Sequence, residues 1–156
     1  MTLINLPDLR ARLGRGERLL GIDPGSRTIG LALSDVSLLL ASPYGSLRRG
    51  KLSANAAEVR AIAAREGVGG LVVGLPLSLS GEFGPAAQGA RDWALALATA
   101  SGLPASLWDE RLSTAAVERF LIEEMDTSRA RRAELRDKLA AAYMLQGALD
   151  ATRGCG

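Results

Sequence analysis

The feature that most restricts the fold is a change of rhythm along the chain. Between residues 19 and 44 the apolar residues come in short runs separated by turn residues. Leu19, Leu20 and Ile22 make one run that stops at Asp23, Pro24-Gly25-Ser26-Arg27 reads as a turn, and Ile29, Leu31 and Leu33 then alternate with Gly30, Ala32 and Ser34. Period two about a tight turn predicts a β-hairpin, and residues 38–44 supply a third strand. Beyond residue 50 helix-like and strand-like segments alternate. Residues 53–66 predict a helix with Ser53 as N-cap and Gly67 as its stop. Residues 70–75 (GLVVGL) predict a buried strand, 86–100 an alanine-rich helix, 103–108 a short strand with Pro104 near its start, and 113–124 and roughly 129–150 two more helices.

Three strands in a meander followed by βαβ units predict an α/β fold. It has one mixed five-stranded sheet, three strands antiparallel and the later ones parallel through right-handed crossovers, with helices on its faces. In such sheets ligands tend to bind beyond the carboxyl ends of strands. Residues 7–16 read as a polar, arginine-rich lead-in, so 1–17 is expected to be an N-terminal extension and 18–152 a single domain.

Composition narrows the chemistry. The 156 residues contain no histidine, and the one cysteine, Cys155, is next to last. Ser-His-Asp and Cys-His catalysis and histidine-bearing zinc sites are thereby excluded. Carboxylates, with hard cations such as Mg²⁺ or Mn²⁺, are the natural alternative. The lone cysteine fits a reducing cytoplasm. No apolar run is long enough to span a bilayer, and the first twenty residues lack the apolar stretch of a secretory signal, so no membrane partner is expected. The net charge is only +2, but basic residues cluster at Arg10–Arg18, at Arg48, Arg49 and Lys51, and at Arg129, Arg131, Arg132, Arg136 and Lys138. Such clusters can neutralise phosphates, or can simply be solvated faces. Two Phe, two Tyr and two Trp are too few for a base-stacking platform.

Three acidic motifs stand out. Asp23 ends the first apolar strand beside a glycine turn, where the turn amides, Ser26 and Arg27 can meet a phosphate. Asp109 and Glu110 close the last strand, in WDERLST. Because consecutive strand side chains face opposite ways, both need not reach one site. Asp137 shares a helical stripe with Ala141, Met144 and Ala148, at i, i+4, i+7 and i+11. That stripe is small and apolar apart from Asp137, so it is expected to pack on the sheet and to leave the carboxylate in need of a partner, a cation or a basic side chain. Three carboxylates at one sheet end could hold one or two divalent ions and activate a water for phosphodiester hydrolysis. GSLRRGK at residues 45–51 approaches a phosphate-binding loop, but Leu52 stands where a Ser or Thr is required.

Four segments in order, 21–35 (GIDPGSRTIGLALSD), 72–81 (VVGLPLSLSG), 109–114 (DERLST) and 137–146 (DKLAAAYMLQ), resemble the signature blocks of the YqgF/RuvX family. The resemblance implies a ribonuclease-H-like fold and a divalent-metal nuclease with Asp23, Glu110 and Asp137 as catalytic and metal-binding residues. Ser26, Arg27, Arg111, Arg129, Arg131, Arg132 and Lys138 are the expected nucleic-acid contacts. Members of the family are described as Holliday-junction resolvases and as nucleases maturing the 5′ end of 16S ribosomal RNA. The first expectation is an endonuclease resolving four-way DNA junctions, for which a two-fold homodimer would suit paired nicks. The alternative is 5′ processing of pre-16S ribosomal RNA, and a further one is a non-catalytic nucleic-acid-binding module. A nucleotide-binding relative of the actin-like ATPases is less suited, since the chain is too short for the paired domains that enclose ATP.

Overall fold

The computed structural model describes residues 3–25, 27–75, 84–109 and 129–154, and over 129–138 the helix backbone alone. Five strands form one sheet: β1 (Arg18–Pro24), β2 (Thr28–Ser34), β3 (Ala41–Arg48), β4 (Val68–Leu75) and β5 (Ala105–Asp109). Their order is β3-β2-β1-β4-β5. The β1–β2 and β2–β3 pairs are antiparallel, while β4 is parallel to both β1 and β5. This is the expected mixed sheet. Four helices are seen among the described residues: α1 (Leu6–Arg12), α2 (Leu52–Glu66), α3 (Pro85–Ser101) and α4 (Arg129–Ala151).

Strand alternation gives the sheet two buried faces. Leu20 and Ile22 of β1, Leu71 and Val73 of β4, and Ile29 and Leu31 of β2 pack with Val59 and Ile62 of α2 and Ala94 and Leu97 of α3. Leu19, Ala32 and Val72 point the other way, onto Leu6 and Leu9 of α1 and Ala141, Met144, Leu145 and Ala148 of α4. The result is three layers, α2/α3, sheet and α1/α4. The stripe expected on the last helix is real: Ala141, Met144 and Ala148 are fully buried against the sheet.

Local structure departs from the sequence expectations at five places. The lead-in carries a helix. Asn5 caps α1 by accepting from the Asp8 amide at 2.9 Å, and Pro7 sits in its first turn. Leu9 is fully buried over Gly70, where a Cβ would lie 2.6 Å from its Cδ1. Burying such a leucine contributes about 1.5–3 kcal/mol. The third strand begins at Ala41, not 38, and runs on to Arg48. Leu38 adopts a left-handed conformation (φ 57°), and Asp35 accepts from the Leu39 and Leu40 amides at 2.8 and 3.1 Å, so residues 35–40 are a closed turn. Helix α2 is capped at Lys51 without a side-chain bond, and Ser53 lies inside it. Gly67 does end that helix, at φ 69°, but β4 starts at once with Val68, so Gly69 and Gly70 are strand residues. The β5 strand spans Ala105–Asp109, with Pro104 just ahead of it. The helix expected at 113–124 lies outside the described residues.

Candidate metal and nucleic-acid site

Asp23 stands one residue from the end of β1, paired across β2 with Gly30. Alternation fixes its direction. Leu20 and Ile22 face α2 and α3, whereas Leu19 and Gly21 face α4, so Asp23 belongs to the α4 face. It is half-buried. It makes no hydrogen bond or ion pair among the described residues, unlike Asp35, whose carboxylate is taken up by its own turn. A half-buried carboxylate of this kind suits a cation.

The parallel strands bring a second acidic end to the same edge. The register runs from Ile22 through Val73 to Leu107, so the carboxyl ends of β1 and β5 are level, with β4 between them. Two strand spacings separate them by about 10 Å. Trp108 packs on the α1/α4 face and Leu107 on the other. Asp109 therefore falls in the set facing away from Asp23. Glu110 lies outside the described residues.

The helix α4 runs antiparallel to β1. Its Leu145 and the Ala141 carbonyl stand over Gly21. The next residue after Leu145, Gln146, accepts from the Ala41 amide at 2.8 Å and donates to the Leu39 carbonyl at 2.9 Å. Ala41 pairs with Ser34, whose hydroxyl accepts from the Leu19 amide at the start of β1. Toward its N-terminus the helix backbone therefore travels toward the Asp23 end. Asp137 precedes Ala141 by one turn, about 6 Å along the axis, and Asp23 follows Gly21 by two residues, about 7 Å along the strand. The side chain of Asp137 is not described, and neither are those of Arg129, Arg131, Arg132 and Lys138 on the same helix.

The turn beyond Asp23 is tightly built. The Gly25 amide donates to the Thr28 carbonyl at 3.0 Å, and a Cβ on Gly25 would meet that oxygen at 2.5 Å. Glycine is required there by space. Arg27 is exposed at its tip. Ser26 and Arg111 lie outside the described residues. Sequence reasoning placed Arg49 only in a basic cluster, but the structure draws it into this turn. Its Nη1 donates to the Gly25 carbonyl at 2.8 Å and its amide to the Arg27 carbonyl at 2.9 Å. Gln146 was visible only as the last letter of a motif. A polar residue four places from Ala142 on a buried stripe was the available signal.

A family model described as "RuvX: Holliday junction resolvase" matches residues 17–151. This chain belongs to the RuvX family. A protein of Gluconacetobacter diazotrophicus is 70% identical over 152 residues, covering 97% of this chain and 99% of its own, and is named "Putative pre-16S rRNA nuclease". One of Paramagnetospirillum magneticum, with the same name, is 51% identical over 154 residues, with 99% of each chain covered. Among solved structures, T. thermophilus RuvC in complex with Holliday junction substrate matches with a TM-score of 0.53 at 20% identity, over 89% of this chain and 97% of that one. The expected ribonuclease-H-like fold is thus the fold of this RuvX chain. The Asp23 carboxylate offers oxygen donors, which suit a hard cation such as Mg²⁺ or Mn²⁺. Among the described residues no three acidic or cysteine side chains converge, and two of the three expected ligands fall outside that set. No described helix is long and apolar enough to cross a membrane.

Proposed function

We propose that this RuvX protein is a divalent-metal-dependent nuclease that processes the 5′ end of precursor 16S ribosomal RNA. The observation that carries the reading is Asp23: a half-buried carboxylate with no partner among the described residues, at the end of the sheet that the carboxyl end of β5 also reaches and on the face that α4 covers. Asp23, Glu110 and Asp137 are the proposed ligands. Asp109 is the poorer choice because it falls in the set of β5 residues that faces the opposite core. A bound Mg²⁺ or Mn²⁺ would supply a water of lowered pKa and charge stabilisation at the phosphoryl oxygens. The chain's own part is to hold its carboxylates fixed on a strand end and a packed helix and to keep Asp23 partly out of water. Arg27, with Ser26, Arg111, Arg129, Arg131, Arg132 and Lys138, would take the phosphates on either side of the cleaved bond.

The substrate rests on the relatives' names, since the 70% and 51% identical proteins match nearly end to end. They reverse the order in which the sequence alone ranks the two substrates. Four-way DNA junctions remain the second reading, favoured by the description of the family model. That activity would call for a two-fold homodimer placing paired nicks, with a role in DNA repair. Either activity suits a cytoplasmic protein.

The test offers the protein a 5′-extended 16S precursor, a four-way DNA junction and its matched duplex side by side in Mn²⁺. Cleavage of the precursor at a fixed 5′ site is expected. Paired symmetric nicks in the junction, with the RNA intact, would instead establish the resolvase reading. Inertness toward all three, with binding retained, would make the protein a binding module.

A further inference from the structure

Arg49 is held in a way that a solvated surface arginine is not. It sits just past the end of β3, and buried Asn55, at the start of α2, grips the chain on both sides of it. The Asn55 Oδ1 accepts from the Gly50 amide at 3.0 Å, and its Nδ2 donates to the Arg48 carbonyl at 3.1 Å and to Glu58 Oε1 at 3.0 Å. With residues 48 and 50 tied in this way, the backbone that carries Arg49 is fixed. Its guanidinium carbon lies 5.0 Å from the ring centroid of Trp93 on α3. Its Nη1 donates to the Gly25 carbonyl and its amide to the Arg27 carbonyl. Among the described residues no carboxylate pairs with it. Its polar contacts are both backbone oxygens of the turn that joins Asp23 to Arg27.

We propose that Arg49 is a positioning residue: with Trp93 as its platform, it locks the Gly25–Thr28 turn and so fixes Asp23 and Arg27 relative to one another. The inference rests on the nuclease reading of the Asp23 site. Without the Arg49 side chain the described turn keeps two backbone bonds, Gly25 to Thr28 and the residue 49 amide to the Arg27 carbonyl, and loses its tie to α3. A planar cation suits the task because it can stack on an indole and aim an N–H at a carbonyl at once, which an ammonium does less well.

The test uses Arg49→Ala, Arg49→Lys, Trp93→Ala and Trp93→Phe in the full chain, with three readouts. These are hydrogen exchange of the Gly25 amide, Mn²⁺ affinity by calorimetry, and steady-state kcat and KM. Losing one stacking contact and one hydrogen bond predicts about tenfold faster Gly25 exchange in Arg49→Ala. Weaker Mn²⁺ binding and a lower kcat should accompany it, with KM near wild type. Trp93→Ala changes no charge and should shift all three the same way. Its effect should not add to that of Arg49→Ala, and Trp93→Phe should restore most of the loss. Arg49→Lys, a milder variant should alanine impair folding, should fall between. Wild-type Gly25 exchange in Arg49→Ala would overturn the proposal. So would faster exchange with Mn²⁺ affinity and kcat unmoved, which would make Arg49 a structural tie only. A raised KM with a shallower salt dependence would also overturn it, by making Arg49 a phosphate contact. Mn²⁺ binding that survives Asp23→Asn would sink the metal-site reading itself, a result independent of the exchange measurement.

Discussion

Gly21 of β1 lies under Leu145 of α4 so closely that a Cβ on Gly21 would come within 3.0 Å of the Leu145 Cβ and 3.3 Å of its Cδ2. The glycine is what lets α4 settle on the sheet at the point from which it travels toward Asp23. Gly21→Val should force the helix outward and destabilise the protein by about 1–3 kcal/mol. Urea unfolding checks the stability, and cleavage by the folded variant should fall as well. Wild-type stability would mean that Leu145 can yield without moving α4.

Gln146 fixes the other end of the same contact. It holds the β2–β3 turn through the Ala41 amide and the Leu39 carbonyl. Gln146→Ala leaves both groups without this partner, so a loss of about 1–2 kcal/mol is expected, read from the shift in urea midpoint at unchanged slope.

Asp35 gives the protein an acid-sensitive turn. The hydrogen bond from the Leu40 amide, opposed by desolvation and reinforced by the Leu39 amide, lowers its carboxyl pKa from the ordinary 3.8. A lowered folded value means stability that is present above the unfolded pKa and lost as pH falls through the folded one. Unfolding free energy should therefore drop below about pH 4, and Asp35→Ala should flatten that part of the profile. An unchanged acid slope in the variant would contradict the assignment.

Arg27, exposed at the tip of the turn, should act on binding rather than on folding. Arg27→Ala should weaken nucleic-acid binding and reduce the salt slope of log K by about 1, with the melting temperature unchanged. A salt slope identical to that of the wild type would remove Arg27 from the interface.

Much of this arrangement is legible in the residues. The hairpin, the parallel crossovers and the buried stripe of α4 follow from period two and period 3.6, because those patterns report burial on one face. Asp23 is legible because an acid closing an apolar strand beside a glycine turn is a local signal. Helix α1 is harder to see because its evidence is spread out: Asn5 as cap, Pro7 in the first turn, and Leu6 and Leu9 as the buried side, among closely spaced arginines. The late start of β3 depends on the left-handed Leu38 and the Asp35 bonds, which no periodicity reports. Arg49 is the clearest case. Its contacts join the turn between β1 and β2 to α3, with Trp93 44 positions further along the chain, and only the fold brings them together.

In the proposed function Asp23 anchors a metal used for phosphodiester hydrolysis. The direct measurement is single-turnover cleavage of a 5′-extended 16S precursor in Mn²⁺ by the wild type and Asp23→Asn, with binding of the same RNA measured in parallel. Asp23→Asn should lose at least ~10³-fold in rate, several kcal/mol of transition-state stabilisation, at nearly unchanged RNA affinity. Equal rates for the two proteins would contradict it.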